Sequence, residues 1–454
     1  MRFGLVLACL SVAACASGNV TKSASDPGGL DLSGPVLQFP ATDPIPVSRA
    51  NQDLARDFLD LEFQLESGLA LPVLTRFQGP IALTMEGAVP PTARAETEAL
   101  MARLRAEAGL QIDWGTGAAA NVITLSFQPS SRLRRMEPTA ACFVVPNVAG
   151  LADWTGRRGS TALDWGRMSE RHAATLFLPQ DAAPQELRDC LHEEMAQALG
   201  PVNDLYRLPD SVFNDDNFQS VLTEFDMLML RLHYAPELSN GMGAAQVAAL
   251  LPGLLARENP RGEVRGAAGD GGPTPRVWID SVAQAMSAST PKAARIAAAE
   301  RVLSLALEAG WQDNRAGFAW FLRGRVLAPS DPAAARDAYA QAARIYETLP
   351  DGGVHLAHAL MQLAALDLAR GDIAGAGAGV DRGLPLAHRA QNAALIATFQ
   401  MIKAEILMAQ GQAQAAEGLR LDTLPAARYG FGSSAKIRAR AAEIAAIARL
   451  APAG

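Results

Sequence analysis

Very little cysteine, no excess of positive charge and no long apolar run mark this 454-residue chain. Its four cysteines, Cys9, Cys15, Cys142 and Cys190, are too few for a disulfide-rich scaffold or a structural cysteine-zinc module. The 40 basic and 47 acidic residues leave a formal net charge of −7. The basic stripe of a general nucleic-acid binder is therefore missing, and no nucleic-acid partner is expected. No run after the amino terminus reaches the ~18 apolar residues that a spanning helix needs. No phosphate-binding glycine loop occurs either: Gly371, Gly375, Gly377 and Gly379 fall in a helix–turn–helix pattern. What is present is apolar bulk, 49% hydrophobic against 19% charged residues. That composition is globular, and the length suits about three domains.

The amino terminus reads as an address. Met1-Arg2 gives a positive start, and the apolar run Phe3 to Ala14 ends in Val12-Ala13-Ala14-Cys15. The run is short for a span and suits a signal peptide. A small-residue cleavage site followed at once by cysteine resembles a bacterial lipobox. That resemblance implies cleavage before Cys15 and lipidation of its sulfur, with ordinary secretory cleavage near Ala16 or Ser17 as the alternative. No aspartate follows Cys15, which by the same resemblance implies the outer membrane, on its periplasmic face. Residues 1–14 are then a lipoprotein signal peptide. Residues 15–47, rich in Gly, Pro, Ser and Asp, form a tether. With Cys9 removed and Cys15 lipidated, Cys142 and Cys190 remain in an oxidising compartment. A bridge between them is expected, two buried free thiols being the alternative.

Two folded domains follow. Over 48–258 the pattern mixes helices and strands. A helical stripe (Leu54, Phe58, Leu61, Leu65) ends at Gly68, and a second helix spans Glu96 to Ala108. Strands are expected at Gly79 to Glu86, Val122 to Phe127, Ala141 to Val145 and Ala173 to Leu178, with a helix starting at Pro184. Such a mixture suits an α+β layer domain. Residues 259–275, dense in Gly and Pro, read as a linker. From 276 to 454 no strand is expected, alanine dominates, and the charge turns from net −11 before it to net +4. Ser330-Asp331-Pro332-Ala333-Ala334-Ala335 is echoed at Gly371-Asp372-Ile373-Ala374-Gly375-Ala376 and again at Gly411-Gln412-Ala413-Gln414-Ala415-Ala416. Each echo separates a helix of large apolar residues from one of small residues, the signature of a helical solenoid. The spacing, with Gly324 and then Ala335, Tyr339 and Ala342, resembles the tetratricopeptide repeat. A protein or peptide bound on the repeat surface is the partner this implies. An irregular α-bundle is the alternative.

Chemistry concentrates in Pro184 to Tyr234. On a helical wheel Leu187, Cys190, Leu191, Met195 and Ala198 form an apolar arc, and Glu194 lies inside it. A carboxylate there must be paired, hydrogen-bonded or used. His192 points elsewhere. Glu193-Glu194-Met195-Ala196-Gln197-Ala198-Leu199-Gly200-Pro201-Val202-Asn203-Asp204 resembles the long zinc motif of the metzincin peptidases. The resemblance implies a zincin-like fold with Glu194 as the catalytic glutamate and Glu193, Gln197 and Asn203 at the ligand positions. Asp204 substitutes if the turn shifts. Asp210-Ser211-Val212-Phe213-Asn214 resembles the methionine turn, with Phe213 in the methionine position. Leu222 to Tyr234 resembles the closing helix, capped by Thr223 with Asp226. The whole front half also resembles a family of uncharacterised bacterial envelope proteins known only as a domain of unknown function.

None of the ligand positions carries histidine, and amide oxygens are poor zinc ligands. No cofactor is expected for the degenerate domain. A divalent metal is the alternative, and an oxygen-rich set suits Ca²⁺ or Mn²⁺. The leading expectation is an envelope binding module with a pseudo-peptidase domain. The alternative is a divergent metal-dependent hydrolase with Glu194 as general base. Weaker candidates are Ser160, Asp164 and His172, which lack a nucleophile elbow. Asn214-Asp215-Asp216-Asn217 lacks calcium-loop spacing and reads as a solvated turn. His355, His358 and His388 read as packing or surface residues.

Overall fold

The computed structural model describes residues 34–39, 46–116, 119–263, 272–350 and 352–450. The expected signal peptide and Cys15 lie outside them.

The front region is built on one mixed sheet of five strands. These are β1 (Ile81–Gly87), β2 (Ile112–Trp114), β3 (Val122–Gln128), β4 (Phe143–Pro146) and β5 (Ala173–Pro179), in the order β2-β1-β3-β5-β4. All neighbours run parallel except β4, which pairs antiparallel with β5 at the edge. β3 is buried at every position, as a central strand covered on both faces must be. Around the sheet pack α1 (Asn51–Glu62), α2 (Ala93–Ala108), the short α3 (Ser130–Met136) and α4 (Leu151–Arg157), then α5 (Pro184–Leu199), α6 (Glu224–His233) and α7 (Ala244–Glu258). Pro184 opens α5 at its first position, where a missing N–H costs nothing. Thr223 and Asp226 form a reciprocal capping box on α6, as the sequence anticipated. α1 ends at Glu62, earlier than the apolar stripe implied. Beyond it Gln64 makes a bridge to Ala70, which draws Leu65 out of the helix.

Cys142 and Cys190 are disulfide-bonded, with Cα atoms 5.9 Å apart. The bridge ties the segment entering β4 to the middle of α5.

Ten further helices follow without a strand among the described residues: α8 (Arg276–Met286), α9 (Lys292–Glu308), α10 (Asn314–Leu327), α11 (Pro332–Thr348), α12 (Gly353–Ala369), α13 (Ile373–Arg389), α14 (Ala393–Ala409), α15 (Ala413–Asp422), α16 (Leu424–Phe431) and α17 (Ser434–Ala448). Successive helices joined by short turns pack as neighbours. The sequence echo has a local cause. Asp331 and Asp372 are the N-caps of α11 and α13, accepting from the N–H groups of Ala334 and Gly375. Gly324 lets the Tyr339 ring lie against α10, since a Cβ there would stand 2.9 Å from it.

The two regions share a core. Tyr206 and Phe218, from the loop between α5 and α6, belong to the same buried cluster as Trp278, Phe318 and Phe321 of the helical region. α16 packs directly on α5. Part of the expected tether is also packed: the Leu37 N–H donates to the Pro425 carbonyl at 3.1 Å, and Phe39 meets Tyr429 edge-on.

Candidate functional site

α5 places the motif. Its arc of Leu187, Cys190, Leu191, Met195 and Ala198 is buried, and Glu194 is only 4% exposed among them. Burial, followed by the nearby Glu193 and Glu66 carboxylates, holds the Glu194 carboxyl well above the usual carboxylate range. Its Oε2 is buried without a hydrogen-bond partner. His192 is on another side, its Nδ1 accepting from the Leu222 N–H at 3.0 Å.

The end of α5 is fixed by Arg171. This buried guanidinium donates to the carbonyls of Gln197, Ala198 and Gly200 at 3.0, 2.8 and 2.7 Å, satisfying carbonyls that a helix C-terminus leaves open. The chain then turns at Gly200, where a Cβ would stand 2.9 Å from Leu230. This exit decides which residue takes the third ligand-equivalent position. Asn203 is buried and donates its side-chain amide to the Asp60 carbonyl at 2.8 Å. Asp204 turns instead toward the flank of α5 that carries Gln197, whose Nε2 reaches its Oδ2 at 3.4 Å.

Asp204 does not stand alone. Carboxylate oxygens of Glu66, Asp204 and Asp215 all lie within 4.8 Å of one another. Glu66 is exposed and the other two are half-buried, so the group opens to solvent. Asp204 Oδ1 is buried and has no hydrogen-bond partner. Asp204 is held well above the ordinary aspartate value, first by burial, then by Glu66, Asp215 and Glu193. Burial, then Glu66 and Asp216, raise Asp215 to about 7. Glu193 is raised to about 8 by burial and by Asp215, Glu66 and Asp189. Each of these carboxyls holds the others up, so they titrate as a set rather than singly. The ligand-equivalent Glu193, Gln197 and Asp204 thus border one acidic cluster, while Asn203 is committed elsewhere.

Glu66 and Asp215 are the members that motif reading missed. Glu66 carries no sequence signal. Asp215 was visible only as part of an acidic turn, and that turn is not solvated as expected: Asn214 and Asp216 are buried, with Asn214 donating to the Leu208 carbonyl at 2.5 Å. Phe213, in the methionine-turn position, is fully buried in the front core. The weaker candidates disperse. Ser160 and Asp164 cap successive short 3-10 turns, and His172 pairs with Glu170 at 2.8 Å. His355 and His358 are buried against the α5–α6 loop rather than on the surface. A groove of about 530 Å³, lined by Phe77, Arg231, Tyr234 and Glu258, has none of the cluster carboxylates on its walls. The donor chemistry therefore lies at the acidic cluster.

Oxygens that share one Ca²⁺ at about 2.4 Å lie at most about 4.8 Å apart, a necessary limit that the three carboxylates meet. The oxygen-only donors fit a hard cation. Zinc also takes carboxylates, but its protein sites usually include imidazole or thiolate, and the three converging residues supply neither.

Among the described residues no helix is long and apolar enough to cross a membrane. No curated protein and no solved structure is similar enough to match the chain. Residues 51–253, which hold the sheet, α5 and the whole acidic cluster, match a family described as a protein of unknown function (DUF2927).

Proposed function

We propose that the chain is a membrane-anchored envelope lipoprotein that works as a cation-dependent protein- or peptide-binding module. A zincin-like front domain that has lost the zinc histidines is held on a tetratricopeptide-like scaffold. One observation carries this reading: at the end of α5, Glu66, Asp204 and Asp215 converge within 4.8 Å beside Glu193 and Gln197, with no histidine among them. That donor set favours Ca²⁺ over Zn²⁺. A half-buried ion with open positions can in turn take a carboxylate or carbonyl from a partner. Lipidation at Cys15 would place this module at the outer membrane, and the packing of residues 35–39 on α16 would set the anchor on the helical side.

The buried Glu194, with its unpartnered Oε2, favours a second reading, a divergent hydrolase. Burial and two carboxylate neighbours push the Glu194 carboxyl up, which works against the ionised form that a general base needs. The binding reading is therefore preferred. Calcium and zinc titrations of the purified chain test it. Saturable binding of one Ca²⁺, lost in Asp204→Asn, supports it. Stoichiometric Zn²⁺ lost in Glu193→Gln, together with hydrolysis lost in Glu194→Gln, overturns it.

A further inference from the structure

Residues 34–39 strap the amino-terminal side of the chain to α16. Arg428 Nη1 donates to the Pro35 carbonyl at 3.2 Å, and a Cβ on Gly34 would stand 2.6 Å from that nitrogen. Arg188 of α5 stands over the Phe39 ring at 5.0 Å. Leu37 and Phe39 pack on the buried cluster that holds Ala426, Ala427 and Ile437. Eighteen residues, 16–33, separate Cys15 from this strap, a stretch that spans at most about 65 Å.

The helices that hold the strap also carry the helical region's whole excess of positive charge. Residues 276–423 balance at 14 basic and 14 acidic residues. Residues 424–454 carry Arg428, Lys436, Arg438, Arg440 and Arg449 against Glu443 alone. Glu443 is itself answered by Arg440 at 3.3 Å. Ile437, Ile444 and Ile447 turn one side of α17 into the core. At about 100° per residue, Arg438 and Arg449 share the opposite side, both exposed, with Ala442 and Ala445 beside them. The exposed Lys436 lies on the flank toward α5 and α3. There burial raises the Glu186 carboxyl, and Lys436 and Arg134 draw it back down.

We propose that the outer face of α16 and α17 is the membrane-facing side of the protein and lies against an anionic phospholipid surface. The proposal rests on the lipid-anchor reading at Cys15. Two separate observations meet on this face: the strap from the anchor ends on it, and its charge complements phosphate headgroups in a chain of net charge −7. Each basic residue close to such a surface adds about fivefold to binding, and the attraction fades within about 10 Å. Lipid would hold the protein, and the basic face would orient it.

The test is cosedimentation of the mature chain, carrying Cys15→Ser to remove the lipid, with vesicles in low salt. Binding is expected to vesicles of phosphatidylglycerol and phosphatidylcholine and not to phosphatidylcholine alone. Combining Lys436→Gln, Arg438→Gln and Arg449→Gln should weaken it on the order of a hundredfold, at about fivefold per residue. These are exposed helix positions that glutamine suits, so the fold is retained. Combining Lys292→Gln, Arg301→Gln and Arg389→Gln makes the same charge change at exposed positions elsewhere in the helical domain and should leave binding unchanged. Equal loss in both sets, or no binding to the anionic vesicles, overturns the proposal. Binding to polyglutamate in preference to the vesicles also overturns it, assigning the face to an acidic protein. The mass of the mature wild-type chain reads the anchor separately. Lipid on Cys15 with a failed vesicle result overturns this inference alone, and an unmodified Cys15 overturns both readings.

Discussion

Replacing Asp215 by asparagine is expected to stabilise the metal-free protein, and only above acidic pH. Folding moves this carboxyl from the ordinary 3.8 to about 7, burial being the first cause and the neighbouring Glu66 and Asp216 the next. A carboxyl that holds its proton more tightly folded than unfolded contributes stability below its unfolded value. That contribution is lost as pH rises through the folded value. The window is therefore pH 4 to 7. At ~1.4 kcal/mol per pH unit the ceiling is about 4 kcal/mol. Half-exposure and protons shared across the cluster cut this to about 2 kcal/mol. Asp215→Asn removes the penalty without changing shape. With a chelator present, urea unfolding at pH 8 should show the variant about 2 kcal/mol more stable than wild type, and the two should converge at pH 4. Added Ca²⁺ should reverse the order at pH 8, because only the wild type gains by binding. A variant less stable than wild type at pH 8 without metal, or a difference that does not vary with pH, would refute the electrostatic account.

Further outcomes follow from the packing. Reducing the Cys142–Cys190 bridge, or replacing both cysteines by serine, should cost about 3–4 kcal/mol by chain entropy for a loop of its length, read as a fall in the denaturant midpoint; an unchanged midpoint contradicts this. Phe218→Ala should cost about 3–5 kcal/mol, because the ring fills a buried site between the two domains. Limited proteolysis should then release a front fragment that the wild type does not yield. Cys15→Ser should move the protein from the membrane fraction to the soluble periplasmic fraction, and retention in the membrane fraction would rule out lipid as the anchor.

Much of the architecture is local and was legible. The apolar runs at Val122 to Phe127 and Ala173 to Leu178 fall on the interior strands β3 and β5, and the Asp331 and Asp372 caps account for the spacing of the first two helical echoes. The cysteine pair was expected through the lipobox resemblance, which left Cys142 and Cys190 in an oxidising compartment, and the two are bonded. β2 escaped because Ile112–Trp114 is too short to show a period. The site was only half legible. Glu193, Gln197 and Asp204 could be placed by motif resemblance, but the choice of Asp204 over Asn203 depends on how the chain leaves Gly200. Glu66 comes from the strand-like turn after α1, and Asp215 from a loop held by another domain. No linear pattern joins positions 66, 204 and 215, because the sheet, the Arg171 clamp and the helical domain bring them together. His355 shows the same limit: its place in a repeat suggested packing, and only the fold reveals Asp216 as its partner.

The most direct measurement of the central claim is the metal content and metal affinity of the purified full-length chain at neutral pH. The account predicts one Ca²⁺ per chain, bound in preference to Zn²⁺ and lost in Asp204→Asn and Asp215→Asn. Tight stoichiometric zinc, or no binding of any divalent ion, would contradict it.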